Sequence, residues 1–431
     1  MNSHRMMLSK RLMAIVRKFL FLTSFLPTVM VTGEDLPVTH TELVAIPGIA
    51  RPDYLKPMLD PVFKSTVTRI TGDVGTEIPG FSGNWNAVAR HTYSKYSAWN
   101  CDQTLIFLGV HHGFPSMLFL DGTSYQPVFG RNAGPGSETR WHATDPDSMV
   151  YVNNLEIGLW NVRTDKTQVI ATFPGYSDFK IGPWEGNLSL DGSRIAINAQ
   201  KGGARVAFAY DIEKKQKYPD LALDMPRVDW VSISASGKYI VINGTIQGNL
   251  PDGKHGASDR TQVYDLEGNK VGSLWSDYGR PSHYDLTLDD QGEDIAVGVA
   301  ASQPDDGRVI KRRLRDGLIT VLTPGGYAGH TSTRNVKRPG WAYTTYQYRG
   351  PDWKPYWDEV VAVKLDGSLT VERIAHMHAK DSDYLAQAQA VPSPDGERVL
   401  WASNWNAESG RPVATYVAKK LATQHPHSVK K

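Results

Sequence analysis

Side chains able to move protons or neutralise carboxylates recur in this chain beside short runs of β-branched and aromatic residues. His91 is followed about 20 residues later by the adjacent pair His111-His112, and Lys201 with Arg205 falls in a later unit. An imidazole titrates near neutral pH and can take or give a proton. A guanidinium pairs with a carboxylate through two parallel hydrogen bonds. Arg140, Tyr346 and Trp405 stand at comparable places in other units, and indole and phenol faces stack on sugar rings. Histidines, cations and aromatics gathered in this way suit an anionic, ring-shaped ligand, a sugar acid rather than a peptide.

Gathering them requires a ring. Roughly every 43 to 57 residues a polar turn separates two apolar runs, a period typical of toroidal repeats. Ser393-Pro394-Asp395-Gly396 before Glu397-Arg398-Val399-Leu400-Trp401 is the clearest copy; Asp191-Gly192, Ser236-Gly237, Gln291-Gly292 and Pro339-Gly340 mark others. Such pairs supply the backbone angles a tight hairpin needs, and a second alternating run follows each hairpin. The pattern predicts an all-β, seven-bladed propeller of four-stranded blades. Ser65–Thr71 has no unit of its own and is expected to give the last blade its outer strand, closing the ring and removing exposed edges. In a propeller, the loops before each first strand and after each second strand share one rim. His91, Arg140, Asp229, His283 and His330 come from the first set, and His111, His112, Lys201, Arg205, Tyr346 and Trp405 from the second.

The 431 residues are 40% hydrophobic with a formal charge of +2, which gives ample core and no electrostatic case for a nucleic-acid partner. Residues 1–33 read as a signal peptide: Lys10, Arg11, Arg17 and Lys18 precede an apolar run from Phe19 to Val31, too short to span a bilayer comfortably. Residues 34–423 are expected to form one propeller domain, and 424–431 a disordered basic tail. The mature chain is expected to be secreted or periplasmic and monomeric, with no membrane span. Cys101 is the one cysteine, so no intrachain disulfide forms.

The strings RHTYSKYSAWNCDQTLIFL, ETRWHATDPDSMVYV, SHYDLTLDDQGEDIAV and GHTSTRNVKRPGWAY resemble those of propeller-fold polysaccharide lyases, ulvan lyases most and oligogalacturonate lyases more distantly. The resemblance implies β-elimination on a uronic-acid polysaccharide. That reaction needs loss of the C5 proton, stabilisation of the enolate-like carboxylate and protonation of the departing O4. It also implies roles: Arg205 neutralises the uronate carboxylate with help from Lys201, His91 and His112 act as base and acid, and Tyr93 is a proton carrier. His111, Lys201, Arg140, Tyr346 and Trp405 are then substrate contacts.

The same resemblance implies a structural divalent ion, zinc being the expected metal, held by His283, Asp285 and His330. Relatives tend to carry histidine where this chain has Gln389, a poorer zinc ligand. A non-catalytic binding propeller of the cell envelope is the alternative. Glycoside hydrolysis would need facing carboxylates, for which Glu185 with Asp229 or Asp285 are the candidates.

Overall fold

The computed structural model describes residues 41–420, apart from 137, 183–184, 226, 247–257, 276–278, 303 and 348–353. The expected leader 1–33 and tail 424–431 lie outside these residues.

Among the described residues seven antiparallel sheets are arranged as propeller blades, and an eighth, short one pairs Ala89–Arg90 with Val110–His111. Blade two is the regular case: Glu138–Trp141, Ser148–Asn153, Glu156–Asn161 and Lys166–Thr172 follow in order from hub to periphery. Blade three runs from Tyr176–Lys180 through Arg194–Lys201 to Ala204–Asp211, blade four from Arg227–Ile233 to Lys270–Trp275, and blade five from Pro281–Leu288 to Ile319–Val321. Blade six spans Thr331–Ser332 to Val371–His376. The alternating apolar residues of each blade meet those of the next. Ile295 and Val297 of blade five face Val361 and Val363 of blade six, for example, all fully buried.

Blade seven closes the ring as the sequence predicts. Thr66–Arg69 pairs antiparallel with Ala414–Lys419, and Pro57–Leu59 adds a further strand outside it. The turn before Arg398–Ser403 owes its shape to Gly396 at φ +70° and to Ser393, whose hydroxyl donates to Asp395 at 2.6 Å.

Blade one departs from the four-stranded expectation. Leu105–Leu108, Met117–Asp121 and Pro127–Arg131 form three strands, and the hub position is a single bridge between Trp99 and Ile106. Ahead of that bridge the chain makes a turn instead of a strand, the Tyr96 amide donating to the Tyr93 carbonyl at 3.0 Å. This turn carries Lys95 toward the hub, and its carbonyl is held by the Asn187 side chain of blade three at 3.0 Å.

Candidate functional site

The innermost strands of blades three, four and five each break register with their neighbour near the same rim. In blade three Ser177 and Lys180 bracket the break, in blade four Val228 and Trp230, and in blade five Ser282 and Asp285. A bulge leaves an extra residue unpaired and turns its side chain out of the ladder. The extra residues include Asp178, Asp229 and His283, and both Asp178 and His283 take the left-handed conformation, at φ +47° and +46°. Such a backbone is costly for a residue with a Cβ and clusters at functional sites.

A cavity of about 620 Å³ opens among these bulges, lined by Lys180, Glu185, Arg227, Asp229, Asn243, Arg280, His283 and Tyr284, with Lys95 from blade one. The volume is that of a small-molecule pocket. Its wall holds four cations, Lys95, Lys180, Arg227 and Arg280, against two carboxylates, Glu185 and Asp229. Lys95 is 2% exposed and bonds to Glu185 at 2.5 Å, its ammonium lying 4.4 Å from the Trp230 ring and 5.0 Å from that of Tyr284. Arg227 pairs with Asp229 at 3.0 Å. The Tyr284 hydroxyl contacts Thr261 at 3.1 Å, and burial raises its phenol well above the ordinary range.

His283 continues into the hub. Its ring packs against His330 of blade six at 4.3 Å, tilted by 30°, and Tyr93 of blade one meets His330 edge-on at 5.4 Å. Burial, reinforced by the Glu185 charge, holds the Tyr93 phenol far above its usual range, so it stays protonated.

The remaining residues singled out by sequence are placed as follows. His91 is 1% exposed; its Nε2 donates to the Gln389 carbonyl at 2.6 Å, and burial followed by the Arg90 charge holds its ring well below the ordinary pKa. His111 is buried against Trp85, with Nδ1 donating to the Pro115 carbonyl at 2.8 Å and Nε2 accepting from the Asn86 amide at 3.3 Å. His112 is exposed. Arg205 lies in the third strand of blade three and bonds to Asp178 at 3.2 Å and Asn198 at 3.1 Å, while Lys201 pairs with Asp220 at 2.8 Å. No hydrogen bond, ion pair or ring contact among the described residues links Arg205 to His91, His111 or His112. Tyr346 is fully buried against Tyr356, and Trp405 is sandwiched between His378 at 4.2 Å and Tyr416 at 4.9 Å. Arg140 is 4% exposed and donates to the Gly186 and Thr139 carbonyls.

The expected zinc shell is overturned. Both oxygens of Asp285 are engaged by Arg334, at 2.9 and 3.0 Å, and by the amides of Leu286 and Thr333. The His283 and His330 rings lie 4.3 Å apart, tilted by 30°. Gln389 accepts from Arg90 at 2.6 Å. Among the described residues no group of three or more His, Cys, Asp or Glu side chains could hold a metal ion. The structural metal and the zinc assignment of His283, Asp285 and His330 are therefore withdrawn.

Lys95 and Arg280 were not singled out in the sequence. Lys95 lies in the polar run His91-Thr92-Tyr93-Ser94-Lys95-Tyr96 ahead of blade one's first turn, the same stretch that drew attention to His91, and that is the signal that could have revealed it. Arg280 carries a weaker one, preceding Pro281 at the start of a hub strand.

No family model and no curated protein sequence matches the chain significantly. Solved structures do match. An oligogalacturonate lyase from Vibrio parahaemolyticus aligns with a TM-score of 0.54 at 13% identity, covering 87% of this chain and 97% of its own. An oligogalacturonate lyase in complex with manganese aligns at 0.55 and 12%, covering 85% and 96%. Likeness at this identity establishes the seven-bladed fold and nothing finer. The closer resemblance to ulvan lyases finds no support in these matches.

Proposed function

We propose that this chain is an exported lyase that cleaves a uronic-acid-containing polysaccharide by β-elimination in the cavity of blades three to five. The observation that carries the reading is the pairing of excess positive charge with a hub histidine: Lys95, Lys180, Arg227 and Arg280 surround a space that His283 also lines. A cationic wall neutralises the uronate carboxylate and makes the C5 proton removable. Arg280, joined by Arg227, holds the carboxylate, and His283 accepts the C5 proton. Lys95, whose ammonium keeps N–H groups beyond the one Glu185 takes, supplies a proton to the leaving O4. The fold shared with oligogalacturonate lyases is in keeping with this chemistry.

Asp178 bridges Lys180 on the cavity wall to Arg205, and Asp220 bridges Lys201 and Lys217 beyond. Each carboxylate serves two cations, so positive charge continues outward along blade three, as an anionic polymer needs and a single sugar does not. Arg205 and Lys201 belong to this outer ladder in the proposal rather than to the reacting centre.

The test is to incubate the mature protein with polygalacturonate, ulvan, glucuronan and alginate while following the ultraviolet absorbance of an unsaturated uronate. A rise on at least one polymer is expected, and its loss in His283→Ala places the chemistry. New reducing ends without absorbance would point instead to hydrolysis by Glu185 and Asp229. No product from any of the polymers would leave a binding module.

A further inference from the structure

We propose that the tight-turn end of the hub binds one small monovalent anion of the halide class. The site is a second cavity of about 80 Å³, lined among others by Trp99, Cys101, Arg140, Trp141, Leu190 and Pro394. It is separate from the bulge-lined cavity and independent of any activity there.

Two observations converge on it. Arg140 is 4% exposed, yet its hydrogen bonds go to neutral oxygens, the carbonyls of Gly186 at 2.6 Å and Thr139 at 2.8 Å and the phenol of Tyr96, whose ring lies 4.9 Å from the guanidinium. The adjacent carboxylate of Glu138 is turned to the amides of Ile181 and Gly182, and the other cation of this cavity, Arg334, is balanced by Asp285. One positive charge is therefore buried without a carboxylate in contact, an arrangement proteins avoid.

The second observation is a set of open donors. Nη2 of Arg140, Nε1 of Trp141 and Nε1 of Trp99 are buried and have no hydrogen-bond partner among the described residues, and all three residues line this cavity. Buried N–H groups are almost always satisfied, by protein, water or a bound ion. A water molecule would fill a donor's need and leave the charge; a halide answers both, since it accepts several N–H bonds and carries one negative charge. The volume, room for about two or three waters at about 30 Å³ each, excludes a sugar acid.

The experiment uses the folded wild-type protein with bromide as probe. Crystals soaked in sodium bromide should give an anomalous peak bounded by Arg140, Trp99 and Trp141. Thermal melts in bromide or chloride should exceed those in gluconate of equal ionic strength by about 2–4 °C. Trp141→Phe, which keeps an aromatic ring of smaller size and removes the indole N–H, should push the halide midpoint to concentrations several-fold higher. Absence of the peak, or melts identical in halide and gluconate, would overturn the proposal in favour of water alone. A peak without a melting shift would mean binding at crystal concentration only, and overturns it equally.

Discussion

The two sides of the hub are built on opposite terms. Where blade seven meets blade one the contact is buried and closely hydrogen-bonded. Arg90, 1% exposed, donates to the His91, Leu385 and Gln387 carbonyls and to the Gln389 side chain, and His91 donates to the Gln389 carbonyl. Across the hub, blades three to five break their ladders at one level and leave a cavity edged with charge. The first side uses histidine and arginine as mortar, and the second leaves them lining an open cavity. Residue type alone does not distinguish the two uses; the pairing of the backbone beside it does.

The largest effects should separate these sides by function. Arg280→Ala and His283→Ala are each expected to lower kcat/KM on the responsive polymer by about 10²- to 10⁴-fold, with melting temperature nearly unchanged. His91→Ala should do the reverse, lowering the melting temperature while folded protein keeps its kcat; a loss of kcat matching that of His283→Ala would erase the contrast. Next, Arg90→Ala leaves four oxygens without their donor and should cost about 3 kcal/mol. The shift of the urea midpoint measures it.

A pH series sharpens the comparison further. Burial lowers His378 to about 4, and burial likewise holds His91 and His111 below their ordinary range. In the unfolded chain these rings take up protons below about 6.5. The stability they confer is therefore complete above that value and is lost as pH falls from about 6.5 toward 4. Asp358, pushed up to about 7 by burial, runs the other way, holding its proton in the folded state through that window. Asp294 and Glu359 are raised by burial as well, so the histidine contribution is read as a difference: between about pH 6.5 and 4 the melting temperature of the wild type should fall more than that of His378→Asn, and equal falls would contradict it. The smallest effect belongs to the outer ladder: Arg205→Gln should raise KM for polymer by about two- to fivefold with kcat intact, and leave short oligosaccharides unaffected.

How much of this was legible in the sequence follows from what each signal encodes. Asp395-Gly396 and its copies specify tight turns locally, so the blades and their number can be read from the chain, as can closure through Thr66–Arg69. The cavity depends on register, which local composition does not report. Counting outward from regular strands sends Arg140 and Tyr346 to the rim, whereas Arg140 bonds across to the Gly186 carbonyl and Tyr346 fills the gap between blades. Alternation did separate His111, buried, from exposed His112. The metal expectation failed on Arg334, whose claim on Asp285 reaches from blade six to blade five and leaves no local trace.

The seam between Thr66–Arg69 and Ala414–Lys419 joins stretches nearly the full described length apart. During synthesis every intervening blade can assemble on its neighbour while this last join waits for the final strand to emerge. Until then Thr66–Arg69 is paired only with Pro57–Leu59, and the half-built ring offers two unpaired edges to its surroundings. A nascent chain released before residue 414 would be open at both ends and prone to associate with its own kind, so clipping from that end should be far more damaging than losing an equal length of surface loop.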